Sequence, residues 1–367
     1  MSATRPKLIT ALTATLLSTG NAVAEGTSVT EGFHPLANST EPWTLNLYFE
    51  NDLFSETDQN YTNGIKASWV SPNVSNHLDD PNLPEWVGKV APYLPRFDPP
   101  NPTGEPIQRN VVVSLGQQIY TPEDLERFTL DPNDRPYAAW LYGGLSYHSR
   151  SRRSMNTAEL NIGIVGPWAL GEEAQDFIHD LRGFKKFNGW DNQLKNEPGI
   201  QLVYEHKHRF LEGPISPLFE YDTILHGGGS LGNVVTYLNA GAEVRVGWNL
   251  PQDFGTSALR SGGDNSAPGL GDGRYQRGSR DNNLGVHAFV SMDGRWVLRD
   301  IFLDGNTFRS SHSVDKEPLV GEAAVGIAAL YKGWKLSFAK VHRSKEFKGQ
   351  PDGHAFGSLS LSYSYSL

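Results

Sequence analysis

His179 lies four residues after Gln175 in a stretch, Gly171 to Gly183, that reads as a short helix. Residues four apart share a helix face, so an imidazole and a carboxamide are presented together. Elsewhere, Asn51-Asp52 ends one alternating run and Thr62 begins the next. An imidazole near a carboxylate and a carboxamide is suited to activating water. Oxygen donors without thiols suit a hard cation such as calcium, which can polarise a carbonyl. The chemistry these types define together is ester hydrolysis, with His179 as base and a cation as electrophile. Singly, each has an ordinary reading: Asn-Asp is a turn, a loop histidine is solvated, and a threonine suits a strand.

The elements that must position them are strands. Trp43, Leu45, Leu47 and Phe49 alternate with Thr44, Asn46, Tyr48 and Glu50, which gives one apolar and one polar face. Tyr61 to Val70 forms the second arm of this hairpin. Further strand-like runs follow at Arg109–Tyr120, Pro136–Ser149, Met155–Val165, Gly199–Leu211, Pro217–Leu225, Val234–Trp248, Leu284–Arg299, Lys316–Tyr331, Trp334–Phe347 and Ala355–Leu367. They make about twelve, many of them about ten residues or longer, as a tilted membrane-crossing strand must be. In the last run Leu359, Leu361, Tyr363, Tyr365 and Leu367 alternate with serines; Leu238 to Trp248 keeps Glu243 and Arg245 on one face. An apolar outside and a polar inside point to an all-β, transmembrane antiparallel β-barrel with a short helix in an exterior loop. Trp43, Tyr48, Trp69, Trp140, Trp248 and Trp334 are candidates for interfacial girdles.

Composition agrees. Arg5 and Lys7, the apolar stretch Leu8 to Leu17 and the Ala22-Val23-Ala24 site read as a signal peptide over residues 1–24. Residues 25–42 form a polar lead-in, and 43–367 the barrel. With 0 Cys, disulfides and thiolate metal sites are excluded. A net charge of -9 without a basic stripe argues against nucleic acid as a partner. Past residue 24 no run approaches the roughly 18 apolar residues of a membrane helix.

With both termini periplasmic, the loops at 51–60, 121–135, 166–198, 226–233, 300–315 and 348–354 face the exterior. The turns at 150–154, 212–216 and 332–333 face the periplasm. Pro72–Gln108 and Pro251–Asn283 break the short-turn rule for that side. In the exterior helix, acids in the first turn, Arg182 in the last and Gly183 beyond it mark both ends. Phe177 and Leu181 share a second face, expected to pack on the barrel rim.

At these residues the chain resembles the outer-membrane lipid A 3′-O-deacylase family. The resemblance rests on Asn51-Asp52, Tyr61-Thr62-Asn63-Gly64, Gly116 to Pro122, Asp134 to Trp140, Gly163 to Pro167, Gln175 to His179, and Trp190 with Asp191 and Gln193. It implies a twelve-stranded barrel acting as a monomer in the bacterial outer membrane on lipid A of lipopolysaccharide. It further implies a site between barrel wall and loop helix that removes the 3′-linked acyloxyacyl chain. His179 would activate water, Asn51, Asp52, Thr62 and Gln175 would complete the site, and calcium on Asp52 and Asn51 would stabilise the oxyanion. One position departs: Lys185 stands where the family has a glutamate, with Asp176, Asp180 and Asp191 as nearby acids.

Two other readings compete. Gly228-Gly229-Ser230-Leu231-Gly232 fits the G-x-S-x-G pattern of a serine lipase, with His226 close by. That elbow needs a helix after it; Val234 to Leu238 reads as a strand, and a glycine hairpin loop accounts for the run better. A channel or structural barrel is the non-enzymatic alternative, with Glu243 and Arg245 lining the pore.

Overall fold

Side-chain alternation decides which face of each strand meets the interior. In the computed structural model Thr44, Asn46, Tyr48 and Glu50 of β1 (Trp43–Asn51) are buried, while Leu47, on the opposite face, is exposed. The same division runs round twelve strands: β2 (Asn60–Val70), β3 (Gln108–Thr121), β4 (Ala138–Arg150), β5 (Ser154–Val165), β6 (Glu197–Pro214), β7 (Glu220–Gly232), β8 (Val235–Trp248), β9 (Gly285–Asp300), β10 (Leu319–Tyr331), β11 (Trp334–Arg343) and β12 (His354–Tyr365). Each pairs antiparallel with its sequence neighbour. β12 closes the barrel on β1, from Trp43 opposite Tyr365 to Asn51 opposite Gly357. Closure removes both sheet edges, which a backbone in lipid requires. The structure describes residues 41–52, 60–74, 92–93, 97–102, 104–183, 185–256, 264–274 and 284–366. The signal peptide, nearly all of the lead-in and Leu367 lie outside them.

The outer surface carries Ile65, Val113, Leu115, Leu145, Ile162, Ile200, Leu202, Val290 and Ile327, all exposed. Such a continuous apolar band is stable only against lipid. No described helix is long and apolar enough to cross a membrane. Trp69, Trp248 and Trp334 face outward at the end where both termini lie. Tyr48 and Trp140 do not join a girdle. Both occupy inward positions and are buried, because each falls on the polar-facing register of its strand.

Several boundaries differ from the sequence reading. β6 runs on to Pro214 and β7 through Gly232, leaving only Asn233 and Val234 as the connection to β8. Residues 226–232 are therefore strand, and the hairpin connection is only Asn233 and Val234. At Gly228 an added Cβ would stand 2.2 Å from the Tyr204 carbonyl oxygen, so close backbone approach explains a glycine there. β10 starts at Leu319 and β11 stops at Arg343, because residues 316 and 347 meet in a separate bridge.

The long connection after β8 folds back into the barrel. Asp253 takes Arg245, Arg274 and Lys335 at 2.6, 3.0 and 2.7 Å. Asp264 takes Lys66 at 2.7 Å and the Ser68 hydroxyl at 2.6 Å. Arg150 donates to the carbonyls of Ala267 and Pro268, and Ala267 packs on Val70 and Val112. Residues 251–256 and 264–274 thus plug the lumen at the end that carries the termini. Glu243 and Arg245 hold this plug: Glu243 accepts from the Thr256 amide, and Arg245 binds Asp222 as well as Asp253. They line no open pore.

Candidate active site

A helix, α1 (Gly171–Arg182), follows a tight turn at Pro167–Ala169. Glu172 and Glu173 occupy its first turn, and Gly183 ends it with φ 70, a left-handed conformation that suits glycine. A second helix, α2 (Ile301–Asp304), is a single turn after β9. α1 lies on the outside of the wall. Gln117, Ile119, Ala139, Leu141 and Ile164 all fall on the outward register of β3, β4 and β5. The Gln117 side-chain amide donates to the carbonyls of Ala169 and Leu170 at 2.6 and 3.2 Å. Ile119, Ala139, Ala169, Phe187, Trp190 and Ala174 form one apolar cluster beneath the helix.

The helix buries its polar face. Gln175 is 2% and His179 1% exposed, whereas Phe177 is 50% exposed. The expectation that Phe177 packs on the rim is reversed, since the wall is already covered by Ala169, Ala174 and Phe187. The side chain of Leu181 lies outside what is described.

His179 is fixed at both ring nitrogens. Nδ1 is 2.5 Å from the Lys185 carbonyl oxygen, and Nε2 is 2.9 Å from Nε2 of Gln175. A carbonyl can only accept, so Nδ1 carries the proton and Nε2 presents its lone pair, to which Gln175 donates. The Phe187 ring meets the imidazole edge to face, centroids 4.7 Å apart.

Strand register brings the other predicted residues to the same patch. Asn51 pairs with Asn63, Asn63 with Ile119, and Ile119 with Ala139, so one outward-facing row runs across β1 to β4. Neighbouring strands lie about 4.8 Å apart. Asn63 is thus one strand, and Asn51 two, from the Ile119 on which the helix cluster sits. The β2–β3 register slips between Tyr61 and Asn63. Thr62 is the extra residue of that bulge, and the bulge aims its hydroxyl at Thr121, 2.5 Å away. Asn51, Asp52 and Thr62 are at most 2% exposed. α1 itself packs on β4 and on the Pro167–Ala169 turn.

Lys185 does not intrude. Its side chain is 87% exposed and pairs with Glu126 at 2.5 Å, while its carbonyl holds His179. Hydrogen bonding between the two, reinforced by their opposite charges, lowers the Glu126 carboxyl and raises the Lys185 amine. The nearby acids do not fill the cleft. Asp176 and Asp180 bind Lys186, and Asp191 is exposed. Sequence reasoning missed Thr121, Phe187 and the Lys185 carbonyl as parts of the site. The first depends on a bulge and the others on loop geometry, and neither leaves a local pattern.

Ser230 is no nucleophile of the lipase kind. It sits inside β7, points into the lumen, accepts from the Gln201 amide at 2.9 Å and donates to the Val235 carbonyl at 2.8 Å. His226 faces the same lumen but binds Asp293 at 2.8 Å. Ser230→Ala is expected to leave hydrolysis unchanged, since the two hydrogen bonds it removes lie in the lumen away from His179 and contribute only about 1 kcal/mol each to stability. A serine-reactive phosphonate added to the purified protein would check this, and inhibition would revive the serine mechanism.

A lipid-facing closed barrel with a buried histidine cleft on its outer wall defines an integral outer-membrane protein with the makings of a hydrolase. A family model described as outer membrane protein LpxR matches residues 10–365, and the chain belongs to that family. LpxR from Salmonella typhimurium is similar in structure, with TM-score 0.66 and 18% identity over 87% of this chain and 99% of that one. The β domain of the Bordetella autotransporter BrkA aligns at TM-score 0.37 and 10% identity, covering 90% and 100% of the two chains. No curated protein sequence matches.

Proposed function

We propose that the protein is a lipid A deacylase of the outer membrane that hydrolyses the 3′-linked acyloxyacyl ester. The observation that carries the reading is the buried His179, whose Nδ1–H is pinned by the Lys185 carbonyl so that Nε2 presents a lone pair beside the wall. The family supports the class of reaction, and a cleft on the lipid-facing wall suits an acyl substrate.

Nε2 takes a proton from water as the oxygen attacks the ester carbonyl. The Lys185 carbonyl then stabilises the imidazolium through the unchanged Nδ1–H bond. Collapse of the tetrahedral intermediate breaks the bond to the sugar oxygen, and His179 returns its proton to that leaving alkoxide. The Gln175 amide, which donates to Nε2 at rest, must yield to the incoming water and can then hold it.

Asn51 and Asp52 fit a hard cation in donor chemistry. They bring a fully buried carboxylate and a carboxamide oxygen to one end of β1, with the Thr62 hydroxyl on the next strand. Among the described residues no three acidic or imidazole side chains gather. A calcium ion would thus rely on neutral oxygens and on the substrate for the rest of its shell. When bound it would polarise the ester carbonyl and offset the oxyanion. One chain supplies every residue in this scheme, which suits a monomer as the acting unit.

Mass spectrometry of lipid A from cells with and without the protein tests the proposal. Loss of one acyloxyacyl unit is the expected result, and its suppression by a chelator the expected sign of calcium. Unchanged lipid A would remove the assignment; loss that persists in chelator would remove the cation alone.

A further inference from the structure

The turn and helix over the wall expose large apolar side chains. Trp168 is 71%, Leu170 43% and Phe177 50% exposed. Leu170 is the residue just before the helix, and Phe177 is exposed on its second turn. Glu173 lies between them on that stripe, in the first turn where the helix dipole favours an acid. Asp176 and Asp180, bound by Lys186, take a different face. The turn itself is fixed: Trp168 N donates to Asn196 at 2.7 Å, and Gln117 holds the two carbonyls that follow.

This apolar stripe continues the lipid-facing band. Gln117 pairs with Leu141, and Leu141 with Ile164, directly under the turn. The next outward row contains Leu115 and Ile162, at 51% and 55% exposure. Rows two residues apart are about 7 Å apart along a strand. The apolar surface therefore runs from barrel wall to helix, with Gln117 turned to the Ala169 and Leu170 carbonyls and Glu173 the polar residue on the stripe.

Depth can be placed as well. Trp69 marks the girdle at the termini end, and Asn63 lies six residues further along β2. At about 3.3 Å per residue and a tilt of about 40°, that is about 15 Å along the membrane normal. The apolar band of such barrels is about 25 Å tall. Asn63 then falls about 10 Å below the upper edge of the band.

We propose that Trp168, Leu170 and Phe177 insert α1 into the acyl layer of the outer leaflet, so that the cleft beneath the helix opens sideways into lipid. The occupant of this surface is the outer-leaflet acyl chains. Placement of the helix stands apart from the reaction; only its use as an entry route for an acyl ester rests on the deacylase reading.

The chain has 0 Cys, so single cysteines can carry a nitroxide without background. Trp168→Cys and Phe177→Cys would be labelled in the full-length barrel in phosphatidylcholine vesicles. Leu115→Cys serves as the lipid-facing control and Asp124→Cys, on an exposed loop, as the aqueous one. Relaxation by oxygen against a water-soluble nickel chelate reads depth. Positions 168 and 177 are expected to lose nickel relaxation and match 115. If either behaves like 124, the insertion is wrong. The measurement needs no turnover, so an inactive enzyme would count only against the deacylase reading.

Discussion

His179→Ala abolishes the base and is expected to reduce ester hydrolysis by about 10²–10⁴-fold, the usual contribution of a positioned general base. The fold should survive. The side chain sits outside the barrel wall, and its removal leaves the Lys185 carbonyl and the Gln175 amide unpaired. That costs on the order of 1–3 kcal/mol locally. Closure by β1 and β12 does not involve either group. The variant should therefore keep its heat-modifiable migration on gels while lipid A mass spectra return to the unprocessed form. His179→Gln sharpens the test: it refills the space and can still hydrogen-bond, yet has no basic nitrogen. Equal loss in both variants assigns the role to the base. Undiminished hydrolysis in either would end the proposed mechanism.

The second large effect lies at the opposite end of the barrel. Asp253 is fully buried and compensates Arg245, Arg274 and Lys335 together. Asp253→Ala leaves three buried cations around an empty site. Breaking one buried pair by removing a partner costs about 3–5 kcal/mol, and here one removal breaks three contacts. The expected result is a clear drop in the unfolding midpoint, together with measurable ion conductance in planar bilayers as residues 251–256 and 264–274 leave the lumen. An unchanged midpoint and a silent bilayer would show that the plug is held by other contacts, such as Asp264 with Lys66. The parent should tolerate mild acid. Burial opposes the Asp253 charge, but Lys335, Arg245 and Arg274 outweigh it and hold the carboxyl well below the usual range. A depressed carboxylate contributes fully above its unfolded value, about 3.9, and loses that contribution only as pH falls toward the folded value.

A similar logic ties the exterior loops. Burial works against Glu346, yet Arg135 and Arg343 bring its carboxyl down to about 2. Arg135 comes from the β3–β4 loop and Glu346 from the loop before β12, so this ion pair joins two distant loops at the same rim. Arg135 also lies over the Tyr120 ring at 4.8 Å.

Much of the molecule was legible in local pattern. The alternations in β1, β8 and β12 fixed which residues face lipid, because a strand has a period of two and one face must be apolar. α1 was readable between its acidic first turn and Gly183, and the spacing of Gln175 and His179 followed from helical geometry. Candidate site residues could also be proposed, since their types suit water activation. Other features had no local signature. The glycine-rich stretch 226–233 looked like a loop but forms strand up to Gly232, where close approach of Gly228 to β6 and Gly229 to β8, not chain reversal, calls for glycine. The helix face was misjudged for the same reason. Apolarity suggested Phe177 would pack inward, yet Ala169, Ala174 and Phe187 already cover the wall, and Phe177 faces out.

The sequence by itself therefore determined the barrel and its approximate strand count, and it offered side chains whose types suit water activation. Each depends on residue type or on a period of two to four residues, which neighbours in the chain enforce. Only the tertiary structure decided that Thr62 turns toward Thr121 through a bulge, that the Lys185 carbonyl selects the tautomer of His179, and that residues 251–256 and 264–274 fill the lumen. Those features are set by contacts between segments far apart in the chain, where register and ion pairing between distant strands, not local propensity, select the conformation.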